Sequence, residues 1–212
     1  MDPKRIVADG YDQMGERFAA WVAASSPDVR RWFRGEVLAR IPQGSTVVEI
    51  GCGPGTDAKE LSDGRRYVGV DLSFVQLSIA RRRAPEATFV IGDFTSMAFR
   101  PGSLDGVVSF YVFMHVPHDE RVPTFGRIFE WLRPGGLLMM SLPTIEAEDR
   151  VEVWLDVPMF FAGITPQASE RMLRKTGFEI ELSEIRGEEE PEYGPTDFHW
   201  VIGSKPDSST AG

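Results

Sequence analysis

The 212-residue sequence contains a single cysteine, Cys52, and none of its apolar runs approaches the roughly 18 residues of a membrane span. An internal disulfide is therefore excluded, and the chain fits a reducing compartment. The segment after Met1 lacks the apolar core of a signal peptide, so we expect a cytoplasmic protein that binds no membrane. Basic residues are outnumbered by acidic ones, 23 to 32, and the net charge of −9 argues against a nucleic-acid partner.

The most informative stretch is a short apolar run, residues 47–50, followed by glycines at 51, 53 and 55. Such a run is typical of a buried parallel strand that enters a helix through a glycine turn. Gly53 and Gly55 let a ligand approach the backbone, because neither has a side chain in the way. The dinucleotide motif G-x-G-x-x-G is not matched, since position 56 is Thr, and this disfavours a nicotinamide-dependent oxidoreductase. A tight turn that binds nothing is the alternative.

With Glu49 before it, this turn resembles the E/D-x-G-x-G-x-G motif of class I S-adenosylmethionine (SAM) methyltransferases, where it lies against the methionine and ribose parts of SAM. Asp71 ends the next predicted strand, about 20 residues after the first glycine, where an acid accepts hydrogen bonds from ribose hydroxyls. A helix cap is the alternative role for Asp71. However, Ser73 and Gln76 form a capping box of their own, which leaves Asp71 for the ligand.

The resemblance covers nearly all of residues 45–143 and assigns further contacts to SAM. After the third predicted strand, 88–91, it places Asp93 at the adenine amino group and Phe94 on the adenine ring, with Leu72 on the other face. Phe110 would offer its backbone carbonyl to the SAM amino group. The expected cofactor-binding residues are therefore Tyr11, Glu49, Gly51, Cys52, Gly53, Gly55, Asp71, Leu72, Asp93, Phe94 and Phe110.

Two apolar segments flank this core. Apolar residues recur at helical spacing over 3–23, which predicts a helix that either faces the core or forms a lid over the site. Tyr11 and Asp12 resemble the Y-D-x-x-A segment of small-molecule methyltransferases, in which the tyrosine approaches SAM. A second segment, 146–163, is dense in apolar bulk. We expect Tyr11, Phe18, Trp154 and Phe160 to contact an apolar or aromatic acceptor.

Alternating strands and helices predict an α/β fold, a mainly parallel sheet with helices on both faces. The resemblance implies the Rossmann-like class I methyltransferase fold, with seven strands in the order 3-2-1-4-5-7-6 and strand 7 antiparallel. A single domain over 1–205 is expected. Its parts are an N-terminal helical lid (1–40), the SAM-binding core (45–143), a substrate lid and helix (144–177) and a final hairpin (178–205), before a disordered tail (206–212).

Because strand 7 returns antiparallel, the loop over 187–194 also reaches the edge of the sheet where ligands bind. It carries four glutamates, at 188, 189, 190 and 192, which either form a solvated loop or discourage anionic substrates. His199 would lie early on the returning strand, near that edge.

The methyl group of SAM is already activated, so alignment and exclusion of water supply most of the catalysis, and proximity alone can contribute roughly 7–11 kcal/mol. A general base is optional. His115 and His199 are the candidates, because a histidine titrates near neutral pH. A structural hydrogen bond is the alternative role for His115. No metal is expected, because residues 110–113 lack the acids that metal-dependent catechol methyltransferases carry there.

The sequence thus predicts a SAM-dependent methyltransferase that transfers a methyl group to a small-molecule acceptor, at oxygen or nitrogen, and releases S-adenosylhomocysteine. We expect a monomer or homodimer. The alternatives are a methyltransferase that acts on a protein or another macromolecule, and a SAM-binding protein without catalysis.

Overall fold

The structure is a computed structural model that describes residues 2–25, 28–191 and 193–207. Glu192, the side chain of Glu188 and most of the predicted tail lie outside the described part. A seven-stranded sheet forms the centre, in the order β3-β2-β1-β4-β5-β9-β8. Its strands are β1 (Thr46–Ile50), β2 (Arg66–Asp71), β3 (Thr88–Ile91), β4 (Leu104–Ser109), β5 (Leu132–Leu142), β8 (Glu179–Glu190) and β9 (Gly194–Ser204).

The sheet is parallel except where β9 pairs with β5 and β8, and both of these pairings are antiparallel. With β8 and β9 counted as its sixth and seventh strands, the order is the predicted 3-2-1-4-5-7-6, so that prediction is confirmed. Seven α-helices accompany the sheet in the described residues, besides a short 3-10 helix over Phe113–His115: α1 (Pro3–Met14), α2 (Glu16–Ala24), α3 (Asp28–Arg40), α4 (Ala58–Ser62), α5 (Phe74–Arg83), α6 (His118–Trp131) and α7 (Pro166–Thr176). None of them, within that part of the chain, is long and apolar enough to cross a membrane.

Neighbouring residues on one strand pack into different apolar layers, because side chains alternate between the two faces of a sheet. Val47 and Trp200 belong to one buried cluster, together with Phe33 of α3. Val48 and Val201 belong to the cluster on the other face. This alternation explains why the apolar run at 47–50 is buried throughout, with a helix layer on each side.

The N-terminal segment forms two helices where the sequence predicted one. Gly15 separates α1 from α2 with a φ of +51°, a conformation that favours glycine. Asp12 fastens this kink to the start of α5, because its carboxylate accepts hydrogen bonds from the Ser73 hydroxyl and the Val75 N–H. Gln76 Nε2 adds two more bonds, each 3.0 Å, to the carbonyls of Tyr11 and Gly15.

A second, two-stranded sheet covers the N-terminal helix. It pairs β6 (Arg150–Trp154) with β7 (Val157–Phe161) in an antiparallel hairpin inside the segment for which no strand was predicted. Met159 and Phe160 of β7 pack with Ile6 and Val7 of α1 in a third buried cluster. The hairpin and the N-terminal helices together form a roof over one edge of the main sheet.

Candidate functional site

A cavity of about 610 Å³ opens at the edge of the sheet where β1, β2 and β4 end. Its floor is the glycine turn after β1, and its roof consists of α1, α2 and the β6–β7 hairpin. The volume falls within the range of small-molecule sites. Among the expected site residues, those in its wall are Tyr11, Phe18, Gly51, Cys52, Gly53, Asp71, Leu72, Asp93, Phe94, Phe110, His115 and Trp154.

The glycines of the turn serve two different purposes: Gly51 and Gly55 allow close packing within the protein, whereas Gly53 faces the cavity. Gly51 has a φ of +67°, and a Cβ there would lie 2.2 Å from Val112 Cγ2, so no larger residue fits. Gly53 faces the cavity, where a Cβ would lie 3.8 Å from the ring of Phe18. Gly55 does not line the cavity; it packs against Ala80 of α5, and a Cβ at Gly55 would lie 3.0 Å from the Ala80 Cα.

Asp71 is held at the centre of this floor. Its Oδ2 accepts a hydrogen bond from the Gly53 N–H at 2.8 Å, and its Oδ1 accepts one from the Ser73 N–H at 2.9 Å. Burial raises the pKa of Asp71, and these backbone N–H groups oppose that effect. Because a carboxylate offers about four lone-pair positions, the oxygens of Asp71 can still accept hydrogen bonds from a ligand.

Asp93 lies in the same wall and is bound to the N-terminal helix. Lys4 Nζ lies 2.8 Å from Asp93 Oδ2, and Thr95 donates to Oδ1 from both its N–H and its hydroxyl. Burial acts to raise the pKa of Asp93, but the hydrogen bonds from Lys4 and Thr95 outweigh it and lower the pKa. Asp93 is therefore an ionised acceptor at neutral pH.

Five aromatic rings from α1, α2 and the hairpin form one contiguous wall, which we call the aromatic chamber: Tyr11, Phe18, Trp21, Trp154 and Phe161. Ring centroids lie 4.8 Å apart for Tyr11 and Phe18 and 5.3 Å apart for Trp21 and Trp154. The turn between β8 and β9 closes one side, since Trp21 Nε1 donates to the Pro191 carbonyl at 3.2 Å and Tyr193 lines the cavity. The chamber adjoins the glycine turn through Phe18, because a Cβ at Gly53 would lie 3.8 Å from that ring.

His115 is fixed by hydrogen bonds at both ring nitrogens. Nδ1 lies 2.8 Å from the Phe160 carbonyl, which only accepts, so Nδ1 carries the proton. Nε2 then accepts from the Tyr11 hydroxyl at 2.9 Å. Burial lowers the pKa of His115 to about 4, against the opposing effect of the Phe160 hydrogen bond, so the ring is neutral at pH 7.

His199 does not reach the cavity, which corrects the expectation that it lies at the site edge. It is fully buried, with Nδ1 3.1 Å from Ser169 Oγ of α7 and Nε2 2.8 Å from Ser183 Oγ of β8. Its neighbour Phe198 lines the cavity instead, because successive side chains on β9 point to opposite faces. The geometry therefore gives His199 a structural role and leaves His115 as the histidine near the site.

Glu49 and Phe160 also lie outside the cavity wall. Glu49 is buried behind the turn and accepts a short hydrogen bond from the Tyr67 hydroxyl, and burial raises its pKa well above the ordinary value. The Phe160 side chain packs with α1, and only its carbonyl serves the site, through His115. Neither residue is placed to touch a ligand.

The structure adds residues that sequence reasoning did not assign to the site. Arg30 of α3 lines the cavity, held by Asp57 at 2.6 Å and lying 5.4 Å from the ring centroid of Phe110. Tyr111, also in the wall, has a φ of +61°, which is strained for a bulky residue and is typical of functional sites. The acidic partner of Arg30, Asp57, follows the glycine turn directly, but no spacing rule connects it to α3.

The basic side chains of the cavity wall all have acidic partners, and Arg30 and Arg34 share Asp57. Each of the five basic side chains, Lys4, Arg30, Arg31, Arg34 and Arg150, has a carboxylate oxygen within 3.0 Å. Within the described ranges, no three His, Cys, Asp or Glu side chains are grouped so as to hold a metal ion. Glu190, expected in a loop, is instead the last residue of β8 and lines the cavity. Burial raises the pKa of the Tyr11 hydroxyl, and the charges of Asp71 and Glu190 add to this effect.

Comparisons with known proteins agree with this geometry. Residues 47–136 match a family model described as a methyltransferase domain. A trans-aconitate 2-methyltransferase of Paracidovorax citrulli is 36% identical over 115 residues, which make up 51% of this chain and 43% of that protein. The chain spans about half the length of the first curated relatives that it matches.

Two solved structures show the same fold. A SAM-dependent methyltransferase of Methanosarcina mazei has a TM-score of 0.71 and 19% identity, with 80% of this chain and 96% of that one covered. The 1,6-didemethyltoxoflavin-N1-methyltransferase of Burkholderia thailandensis, solved with its substrate and S-adenosylhomocysteine, has a TM-score of 0.65 and 20% identity. The alignment covers 84% of this chain and 78% of that one.

Proposed function

We propose that the chain is a class I SAM-dependent methyltransferase that transfers a methyl group from SAM to a small-molecule acceptor, because residues 47–136 match a methyltransferase-domain family model. The observation that carries this proposal is the pairing of Asp71 with the Gly53 N–H on the floor of a 610 Å³ cavity. A buried carboxylate that faces a cavity suits a ligand with hydroxyl donors, such as a ribose.

Each part of SAM has a candidate partner among the wall residues. Asp71 would hold the ribose, and Asp93 would accept from the adenine amino group while Phe94 packs on the ring. Arg30, whose guanidinium lies 5.4 Å from the ring centroid of Phe110, is a cation suited to the methionine carboxylate. The Phe110 carbonyl would accept from the amino group. SAM supplies a methyl group on a positively charged sulfur, so S-adenosylhomocysteine is a good leaving group.

The chain's own contribution is to orient the acceptor and exclude water. The aromatic chamber borders the glycine turn, so an acceptor held there lies next to the cofactor floor, and alignment of this kind is worth roughly 7–11 kcal/mol. The roof of α1, α2 and the hairpin restricts the space to a small molecule, which supports that class of acceptor over a macromolecule. The named relatives, which act on trans-aconitate and 1,6-didemethyltoxoflavin, are small-molecule enzymes as well.

Isothermal titration calorimetry with S-adenosylhomocysteine tests the proposal, using the wild type, Asp71→Ala and the exposed-site control Asp63→Ala. We expect the wild type and the control to bind equally, and Asp71→Ala to lose at least about tenfold in affinity, because hydrogen bonds to a charged group are worth about 1.5–3 kcal/mol. Circular dichroism checks that each variant is folded. Absence of heat with the wild type would contradict cofactor binding.

Incubation with SAM and a metabolite extract, followed by mass spectrometry, then tests transfer. An extract component that gains a methyl group supports an enzyme. Cofactor binding with no methylated product from any extract fraction would point to a SAM-binding protein without catalysis.

A further inference from the structure

The hydrogen bonds around His115 fix the polarity of the Tyr11 hydroxyl. The Phe160 carbonyl only accepts, so the Nδ1 proton of His115 is directed to it, and Nε2 presents a lone pair. Tyr11 has one hydroxyl proton, which this lone pair accepts. The Tyr11 oxygen therefore retains only acceptor capacity, and both residues line the cavity.

A ligand group in the aromatic chamber consequently meets an acceptor at Tyr11 and must supply a hydrogen. A carboxylate or carbonyl oxygen placed there would face a second acceptor and would remain unsatisfied, which costs about 1–3 kcal/mol for a buried group. The basic side chains of the wall do not offset this, because Lys4, Arg31, Arg34 and Arg150 are each paired with a carboxylate and Arg30 is the one assigned to the methionine carboxylate of SAM. At the Tyr11 oxygen, the chamber thus favours a donor on a flat apolar ligand.

We propose that the acceptor is an arylamine, a neutral aromatic amine with at least one N–H, which donates to the Tyr11 oxygen while its ring packs among Phe18, Trp21 and Trp154. This inference rests on the proposed methyl transfer and names its acceptor class. The aromatic rings bury a flat ligand in contacts that prefer offset or edge-to-face geometry.

Methylation at nitrogen is favoured over methylation at oxygen because His115, the histidine in the chamber wall, is too weak a base to deprotonate a phenol. A phenol must lose its proton to become a good nucleophile, but His115 Nε2 already accepts from Tyr11, and burial lowers the pKa of that ring to about 4. An arylamine attacks with a lone pair that needs no deprotonation. Its nitrogen forms the N–CH₃ bond, the electrons of the S–C bond remain on sulfur, and the resulting ammonium releases its proton to water.

An alkylamine is disfavoured as an acceptor because it is protonated at neutral pH. Its nitrogen is protonated at neutral pH, as in lysine with a pKa near 10.4, and so has no lone pair to attack with. The same weak base at His115 offers no route to remove that proton. The acceptor class is therefore limited to amines that are neutral in water at pH 7.

Ligand-detected NMR on protein saturated with S-adenosylhomocysteine tests the inference without turnover, using aniline and toluene as an isosteric pair. We expect the wild type to bind aniline about 3- to 10-fold more tightly than toluene, the range for one hydrogen bond. Tyr11→Phe should abolish that preference. Tyr193→Phe, a matched change in the same wall whose hydroxyl accepts from the Leu155 N–H, should keep it.

Turnover of the wild type gives a second measurement that needs no variant. With SAM, we expect aniline to yield N-methylaniline, while phenol, benzylamine and benzoate yield no methylated product. Anisole as the main product, or an aniline preference that persists in Tyr11→Phe, would overturn the inference and leave the proposed methyl transfer standing. Failure to bind S-adenosylhomocysteine would instead overturn the proposed function, and the acceptor class with it.

Discussion

Lys4 Nζ, on the first helix, lies 2.8 Å from Asp93 Oδ2, in the loop that follows β3. The same ammonium lies 2.7 Å from Glu120 Oε2 of α6 and 2.6 Å from Thr95 Oγ1. Three parts of the chain therefore meet at one cation, and the roof over the cavity is fastened at the end expected to hold adenine. Asp93 shares its carboxylate between this contact and any ligand.

We expect Lys4→Met to lower the free energy of unfolding by about 1–2 kcal/mol at pH 7, because the change leaves two partly buried carboxylates without their cation. Chemical denaturation measures the effect. Arg5→Met is the matched control on the same helix, where an exposed i,i+4 pair with Asp9 contributes little. Equal losses in the two variants would show that Lys4 does not hold the roof.

The pKa of His115 predicts a stability difference on the acid side. Burial holds the folded-state pKa at about 4, whereas the ordinary value is 6.5, so the unfolded chain takes up this proton first as the pH falls. Wild-type stability therefore declines between pH 6.5 and about 4 through this group, by at most about 3 kcal/mol. Denaturation of the wild type and His115→Gln across that window should show a shallower decline in the variant. Parallel curves would contradict the assignment of a neutral, buried ring.

The close approach of Gly51 and Val112 predicts coupled substitutions. Gly51→Ala should destabilise by about 2–4 kcal/mol, since it adds strain at positive φ to a clash with Val112. Gly102→Ala provides the control, because Gly102 also has positive φ but nothing within 4 Å, so only the strain remains. Adding Val112→Ala to Gly51→Ala should recover part of the loss in a double-mutant cycle. A coupling energy near zero would mean that the turn relaxes away from Val112.

Arg121 predicts the strongest stability effect outside the site. Its buried guanidinium donates to the carbonyls of Val116, Gly163, Phe113 and Ala162, which ties α6 to the segment after the hairpin. Arg121→Met should lower the free energy of unfolding by at least about 3 kcal/mol, because it leaves buried carbonyls unpaired. The exposed Arg174, which pairs with Glu170, offers a control as Arg174→Met. Chemical denaturation of both compares the buried and exposed cases.

The parallel sheet followed from the sequence because local signals agreed with one another, whereas the strand order came from the family resemblance. Apolar runs ending in glycine or an acid marked β1 and β2, and alternation with helices implied parallel pairing, which the register of Val48 with Val68 illustrates. The helix after Thr165 and Pro166 also followed, since Thr165 caps α7 and Gly177 ends it.

The hairpin of β6 and β7 was missed because its turn breaks the usual residue preferences. Leu155 and Asp156 both adopt positive φ, 47° and 61°, at positions where Asn or Gly is the expected signal. Their conformation depends on tertiary contacts, including the bond from Arg17 to the Leu155 carbonyl across the roof. A turn fixed by distant partners leaves no local trace.

Prediction of the site residues failed where the face of the strand on which a side chain lies determines whether that side chain reaches the cavity. The sequence located β9 at the site edge, but His199 and Phe198 point in opposite directions, and only the latter reaches the cavity. Likewise, nothing near Arg30 in the chain indicates that α3 crosses the end of β4, because that contact depends on helix packing and on Asp57.

The division of the aromatic chamber between α1, α2 and the β6–β7 hairpin has a consequence for any shortened version of the protein. Residues 46–142 contain the five mutually parallel strands of the sheet, β1 to β5, yet they contribute none of the five rings. A fragment limited to them would keep Asp71 and the glycine turn but present a bare groove to water. We expect such a fragment to lose its selectivity among acceptors, because that selectivity depends on α1 and α2, which precede residues 46–142, and on the β6–β7 hairpin, which follows them.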